Sequence, residues 1–357
     1  MIAELYNEDL KYVAGLPLPW EKLQAGKILI TGATGMIGRF LSDVLMFRNE
    51  KEGLGCDLYV TGRSMEKLQA RFSEYKDSSF LHLVEMDINI GDFPDLPSMD
   101  YCIHLASSTH PVAYATDPIG TITANIIGTR NLLEFAHSHG CKRFAFASSN
   151  EIYGENRGDT ELFKEDYCGY IDCNTLRAGY PESKRCGEAL CQAYIRQKNM
   201  DIVIPRLTRS YGPTLLSSDT KALTKFLRKG LAREDIVLKS EGTQYYSYTY
   251  VADAVSGLLT VLLKGECGEA YNISDLASDI RLKDLAGIIA KEAGTKVVFD
   301  LPDEVEKAGF SKATKARLDS TKLQKLGWKA QYGIEEGIRR TMKMMQDRQT
   351  SEMTNMA

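Results

Sequence analysis

The stretch Lys27-Ile28-Leu29-Ile30-Thr31, followed at once by Gly32-Ala33-Thr34-Gly35-Met36-Ile37-Gly38, constrains this chain more than any other. Its apolar middle reads as a buried strand, and Phe40, Leu41, Val44 and Leu45 recur after the glycines at helical spacing. Strand must pass into helix through a glycine turn. Gly32 permits the tight bend, Gly35 lets a pyrophosphate approach the main chain, and Gly38 lets helix and strand pack closely. Such a unit places the chain in the α/β class, as a Rossmann-type doubly wound parallel sheet with a dinucleotide beside the turn.

Further strands follow in the same rhythm. Asp57-Leu58-Tyr59-Val60 is the second, and it ends in Thr61-Gly62-Arg63-Ser64. An NAD-selective site places an acid there against the ribose 2'-hydroxyl, and none is present. Gly62 leaves room and Arg63 supplies charge, which leans toward NADP; alternatively Arg63 only covers the adenine face. Residues 80–86 form a third strand ending at Asp87-Ile88, where a carboxylate can accept from an adenine amino group. Tyr101 to Ser107 is the fourth, with His104 in a structural bond and a cofactor lying close to Leu105, Ala106 and Ser107.

An amphipathic helix around Asn125 leads to a fifth strand, 143–147, which stops at Ser148-Ser149-Asn150-Glu151-Ile152-Tyr153-Gly154. Alternating strands and helices argue a right-handed parallel sheet whose ligands sit at the carboxyl ends of the strands. Ser149 and Glu151 occupy such an end. Tyr180 and Lys184, four apart in Tyr180-Pro181-Glu182-Ser183-Lys184, share one face of the next helix. An ammonium beside a phenol favours the phenolate, so the pair is expected to carry a lowered tyrosine pKa, as a general base requires.

The organisation expected from these signals is an N-terminal extension over 1–26, a short helix and connector laid as a flap over the first domain. An NAD(P)-binding domain spans 27–206 plus about 240–263, a substrate-binding lobe spans about 207–239 and 264–342, and a frayed tail spans 343–357. Lys+Arg 44 against Asp+Glu 48 gives a net charge of -4, which offers no nucleic-acid surface or polybasic membrane anchor. The expected partner is a small molecule. The acidic N-terminus and the lack of a spanning apolar run read as cytoplasmic, with no membrane segment. The 8 cysteines include two C-x4-C pairs, Cys168/Cys173 and Cys186/Cys191. Cys186 and Cys191 point apart on a helix, so no metal is expected.

With these pieces in order, the chain resembles the extended short-chain dehydrogenase/reductase family, in its nucleotide-sugar epimerase, dehydratase and decarboxylase group. The resemblance runs from about Lys27 to Met342 and covers TGATGMIG, Asp87-Ile88, HLAS, the Asn125 helix, SSNEIYG and YPESK. It continues through Arg206 with Tyr211-Gly212-Pro213, Tyr250-Val251 with Asp253, and Tyr271-Asn272. It implies Tyr180 as base on a sugar hydroxyl, Lys184 as its partner and a ligand of the nicotinamide ribose, and Ser149 sharing the hydroxyl proton. It also implies a hydride taken from sugar carbon 4, a tightly held NAD(P) that is NAD by family habit, a nucleotide-diphosphate sugar as substrate, and a homodimer.

Glu151 matches the glutamate of dehydratases and UDP-glucuronate decarboxylases. The dTDP-glucose type of dehydratase carries an acid just before it, and here that place is Asn150, which cannot donate an acidic proton. The loop from Glu165 to Tyr180 is similar without a gap to that of UDP-glucuronate decarboxylases, which tips the expectation toward decarboxylation. A 4-epimerase, a 4,6-dehydratase or a 4-keto-sugar reductase stays open. Two departures stand out: Tyr246 where the family has an arginine on the substrate, and Arg209 where it has an asparagine. Arg209 is either a substitute for the lost anion contact or a surface residue.

Overall fold

Ile28 and Ile30 of β1 (Lys27–Thr31) pack into one hydrophobic core and Leu29 into another, the alternation expected of a strand buried on both faces. The computed structural model describes residues 2–107, 109, 114, 116–216, 218–300 and 314–356. Further strands are β2 (Asp57–Gly62), β3 (Leu81–Glu85), β4 (Tyr101–His104), β5 (Arg143–Phe146), β6 (Ser148–Ser149) and β7 (Ile202–Leu207). The sheet runs in the order Ala270–Ile273 strand, β7, β5, β4, β1, β2, β3, with β6 also on β7. Every pairing in it is parallel. The order reverses between β1 and β4, and the crevice outside the strand ends opens there.

Helices cover both faces. Phe40, Leu41 and Val44 of the Met36–Glu52 helix share the first core with Val255 and Leu258 of the Val251–Lys264 helix. On the other face Leu132 and Leu133 of Thr129–Ser138 and Cys191 of Gly179–Lys198 pack against Phe144 and Phe146. Between Pro118–Thr123 and Thr129–Ser138 the helix widens into a π-turn over Ala124–Gly128, a distortion that often marks a functional site.

A smaller sheet is built around Tyr245–Tyr250. That strand pairs with Arg209–Tyr211 and Lys315–Ala316 in parallel and with Asp279–Arg281 antiparallel. Part of the expected substrate lobe, residues 301–313, lies outside the described residues.

At the two ends of the described residues, helices pack into the fold. The Ile2–Ala14 helix does more than lie over the first domain, because its side chains reach four other elements. Tyr6 donates to Asp43 at 2.5 Å, Tyr12 donates to Asp253 at 2.9 Å, and Asp9 accepts from Tyr250 at 2.5 Å and from Arg340 Nη2 at 2.8 Å. The tail from Lys343 continues the Ile334–Met356 helix instead of fraying there, since Met344 is buried in the core.

Candidate active site

The three glycines of the first turn do different work. Gly32 has φ +69, and a Cβ there would lie 2.7 Å from the Ala106 nitrogen. Turn and β4 end are therefore in direct contact. A Cβ on Gly38 would meet the Gly32 oxygen at 2.5 Å and the Ala33 Cα at 2.7 Å, so helix and strand close only without it. On Gly35, which caps the 17-residue helix, a Cβ would touch only the Gly32 oxygen, at 3.2 Å. Its outer side is open. With Thr34, Met36 and Ile37 half-buried around a helix N-terminus, the cradle fits a dinucleotide pyrophosphate.

Leu105, Ala106 and Ser107 are half-buried beside this turn, and the Ala106 N–H donates to Thr31 Oγ1 at 3.3 Å. Arg63 is exposed after β2. An acid does reach that place, from the neighbouring strand: Gly62 pairs in register with Glu85, whose Oε2 accepts from Met65 N–H at 3.1 Å. Linear reading along β2 misses it, whereas strand register could have found it. Asp87 accepts from Asn89 N–H at 2.9 Å, and Ile88 is buried with its carbonyl held by Asn131 at 2.8 Å.

Tyr180 and Lys184 lie one turn apart in Gly179–Lys198, only 6% and 2% exposed. The helix is anchored by Asn125 in the π-turn, whose amide donates to Ser183 Oγ at 3.0 Å and accepts from Ser107 Oγ at 2.8 Å. Ser149 ends β6, and its Oγ accepts from Glu151 N–H at 3.2 Å. The Ser149 and Ser107 hydroxyls lie close enough to the Tyr180 phenol to favour its ionised form. The structure thus brings the glycine turn, the β4 end, Ser149 and the Tyr180–Lys184 pair to one crevice.

The expected lowering of the Tyr180 pKa is reversed. Burial, followed by the Glu151 charge, pushes the phenol above its ordinary value, while the Ser149 bond, the Arg177 charge and the Ser107 bond act against them. Lys184 does not offset this, because its Nζ donates to the Ala147 carbonyl at 2.9 Å and sits 4.8 Å from the Phe146 ring centre. Burial brings the lysine itself down to about 8.

Two residues not singled out from sequence join the site. Arg177 pairs with Glu151 at 2.7 Å and lies 5.0 Å from the Tyr114 ring centre; Tyr114 in turn stacks on Tyr180 at 5.0 Å. Neither bears a motif signal, since their roles depend on the folded loop before Tyr180. Asn150 is buried beside Ser149. Arg209 and Tyr246 also come together, with the guanidinium 3.7 Å from the ring centre.

Other motif residues hold the fold. His104 bridges Thr31 at 2.8 Å and Thr129 at 3.1 Å, and burial keeps it neutral, down to about 3. Arg206 pairs with Glu188 at 2.6 Å and donates to Tyr153 at 2.8 Å, and Tyr153 donates to Asn272 at 2.6 Å. Asp253 accepts from the Gln331 and Tyr332 N–H groups at 2.8 and 2.9 Å. Among the described residues no cluster of His, Cys, Asp and Glu could hold a metal, and no helix is long and apolar enough to cross a membrane.

The family model for the NAD dependent epimerase/dehydratase family matches residues 28–274, which contain the glycine turn, Ser149, Tyr180 and Lys184. The chain belongs to this family. Among its members, UDP-glucuronic acid decarboxylase 6 of Arabidopsis thaliana is 30% identical over 318 residues, covering 87% of this chain and 86% of that protein. UDP-glucuronic acid decarboxylase 3 of the same plant is 31% identical with the same coverage. The solved structure of DesIV, a dTDP-glucose 4,6-dehydratase from Streptomyces venezuelae, superposes with TM-score 0.77 at 22% identity, covering 91% of this chain and 98% of that one. UDP-glucuronic acid 4-epimerase from Bacillus cereus gives TM-score 0.75 at 22% identity, covering 90% and 99%. At that identity the likeness shows the fold, and the chain is an enzyme of the epimerase/dehydratase family.

Proposed function

We propose that this protein oxidises a nucleotide-diphosphate sugar at carbon 4 and, most like a UDP-glucuronate decarboxylase, releases carbon dioxide from the resulting 4-keto acid. The observation that carries the reading is the convergence of Tyr180, Ser149, Lys184 and the Arg177-held Glu151 beside the glycine turn. The decarboxylase relatives support the choice of reaction.

A nicotinamide dinucleotide held at the Gly32–Gly38 turn would supply a reversible acceptor for the carbon-4 hydride. Ser149 holds the 4-hydroxyl and Tyr180, as its phenolate, takes the proton; burial raises this phenol, and the positive charge of an oxidised nicotinamide held beside it would draw it back down. Oxidation leaves a ketone β to the carboxylate. The bond from carbon 5 to the carboxylate then breaks, and its electron pair flows into the enolate of the ketone. Glu151 handles the proton that carbon 5 takes up, and Tyr180 gives its proton back as the alcohol re-forms. Overall the sugar acid exchanges carbon dioxide for a proton. Lys184 would hold the ribose of the nicotinamide. Asn150, Arg209 and Tyr246 line the substrate side, and Asn150 has no acidic proton for a leaving hydroxyl.

Glu85 supports NAD, since a carboxylate accepts from a ribose hydroxyl and repels a 2'-phosphate, while exposed Arg63 speaks for NADP. Ile119 and Leu176, 75% and 71% exposed near the Asn125 and Tyr180 helices, support pairing of two copies there. Incubation with UDP-glucuronate, read by mass spectrometry, tests the reaction. Loss of carbon dioxide is the expected result; loss of water or an unchanged mass with altered retention overturns decarboxylation. Denaturing the purified protein should release nicotinamide cofactor.

A further inference from the structure

Arg209 stands apart from the other cleft charges. Its Nη1 is buried and has no hydrogen-bond partner among the described residues. Glu151, the nearby carboxylate, is already engaged by Arg177 at 2.7 Å. Leaving a guanidinium N–H buried and unpaired costs free energy, and the cost is offset where a ligand brings the acceptor. Tyr246 explains how the group is held ready. Its ring lies 3.7 Å from the guanidinium carbon, so the face of the cation rests on the aromatic while the in-plane N–H donors stay free.

Backbone register fixes this arrangement. Arg209 is the Cα partner of Tyr248 across the Arg209–Tyr211 and Tyr245–Tyr250 strands, and Tyr246 lies two residues back, on the same face as Tyr248. The Arg209 charge is felt at Tyr114, the ring stacked on Tyr180, so an anion bound to it would lie near the reacting sugar.

We propose that Arg209, braced by Tyr246, is the oxyanion receptor of the cleft and binds an oxyanion of the nucleotide sugar. The sugar carboxylate and the diphosphate share this chemistry. The assignment rests on the nucleotide-sugar reading, though not on decarboxylation.

The test is calorimetric titration of the purified holoenzyme with UDP, UDP-glucose and UDP-glucuronate, in wild type and in Arg209→Gln. The variant is expected to bind UDP-glucuronate roughly 10- to 100-fold more weakly, the range of a charge-assisted hydrogen bond. An equal loss for all three ligands identifies the diphosphate as the group bound, and a loss confined to UDP-glucuronate identifies the carboxylate. Unchanged binding of all three overturns the proposal. Tyr246→Leu, which leaves Arg209 in place but removes its brace, should weaken the same ligand by a smaller factor, and it serves as the test if Arg209→Gln does not fold. Adding Tyr246→Arg to Arg209→Gln should recover affinity. Wild-type enzyme that binds but does not decarboxylate UDP-glucuronate leaves Arg209 assigned while removing the reaction; wild-type enzyme that binds none of the three overturns both.

Discussion

Two regions of this molecule are built from the same parts, arginines, tyrosines and acids, and differ in how completely those parts are paired. At the junction of the chain ends, Asp9 is fully buried and accepts from Tyr250 and from two nitrogens of Arg340, which is 5% exposed and also pairs with Glu8. In the cleft, Glu151 and Arg177 pair at the rim, while Arg209 keeps a buried nitrogen with no hydrogen-bond partner among the described residues. The first region is closed around its charges; the second holds one in reserve. Identical chemistry therefore becomes scaffold or binding site according to whether the protein itself supplies the last partner.

The contrast can be broken in order of expected effect. Tyr180→Phe removes the hydroxyl proposed to take the sugar proton, so turnover should fall by roughly a thousand-fold, with the thermal midpoint nearly unchanged. A variant that keeps most of its activity would dissolve the distinction between the regions. Arg340→Met should do the reverse. It leaves Asp9 buried without its cation, at a cost of about 3–5 kcal/mol in unfolding free energy, readable by urea titration. Arg209→Gln should move that midpoint little, and equal losses in the two variants would place Arg209 in the scaffold.

The smallest effect concerns pH. The Glu151 charge raises the Tyr180 pKa and the Arg177 charge lowers it. Glu151→Gln should therefore shift the acid limb of sugar oxidation to lower pH, and Arg177→Ala should shift it to higher pH, each by about one unit or less. Nicotinamide absorbance in a single turnover reads the oxidation step alone. Shifts of the same sign would show that the two residues do not act on Tyr180 through charge.

Local signals made much of this legible. The five strands from Lys27 to Phe146 follow from apolar runs, and the glycine turn from spacing, because both obey short-range rules. What escaped depends on neighbours distant in sequence. Glu85 reaches the β2 end through strand register, Tyr114 from the segment after β4 stacks on Tyr180, and Arg177 pairs with Glu151, 26 positions away. The direction of the Tyr180 pKa escaped for the same reason: helix spacing places Lys184 on the right face but cannot show that its ammonium is spent on the Ala147 carbonyl.

The Asp9–Arg340 pair joins residues 331 positions apart. On a ribosome, the Ile2–Ala14 helix emerges long before the Ile334–Met356 helix, so its buried aspartate has no Arg340 to pair with until 331 further residues have been made. The Rossmann sheet can form as it is synthesised, whereas the Ile2–Ala14 helix must wait, with Asp9 solvated, for Arg340 to arrive. Closure of Asp9 on Arg340 is thus a late step in folding, and a chain stopped short of Arg340 would leave the Ile2–Ala14 helix with a buried acid and no cation to close upon.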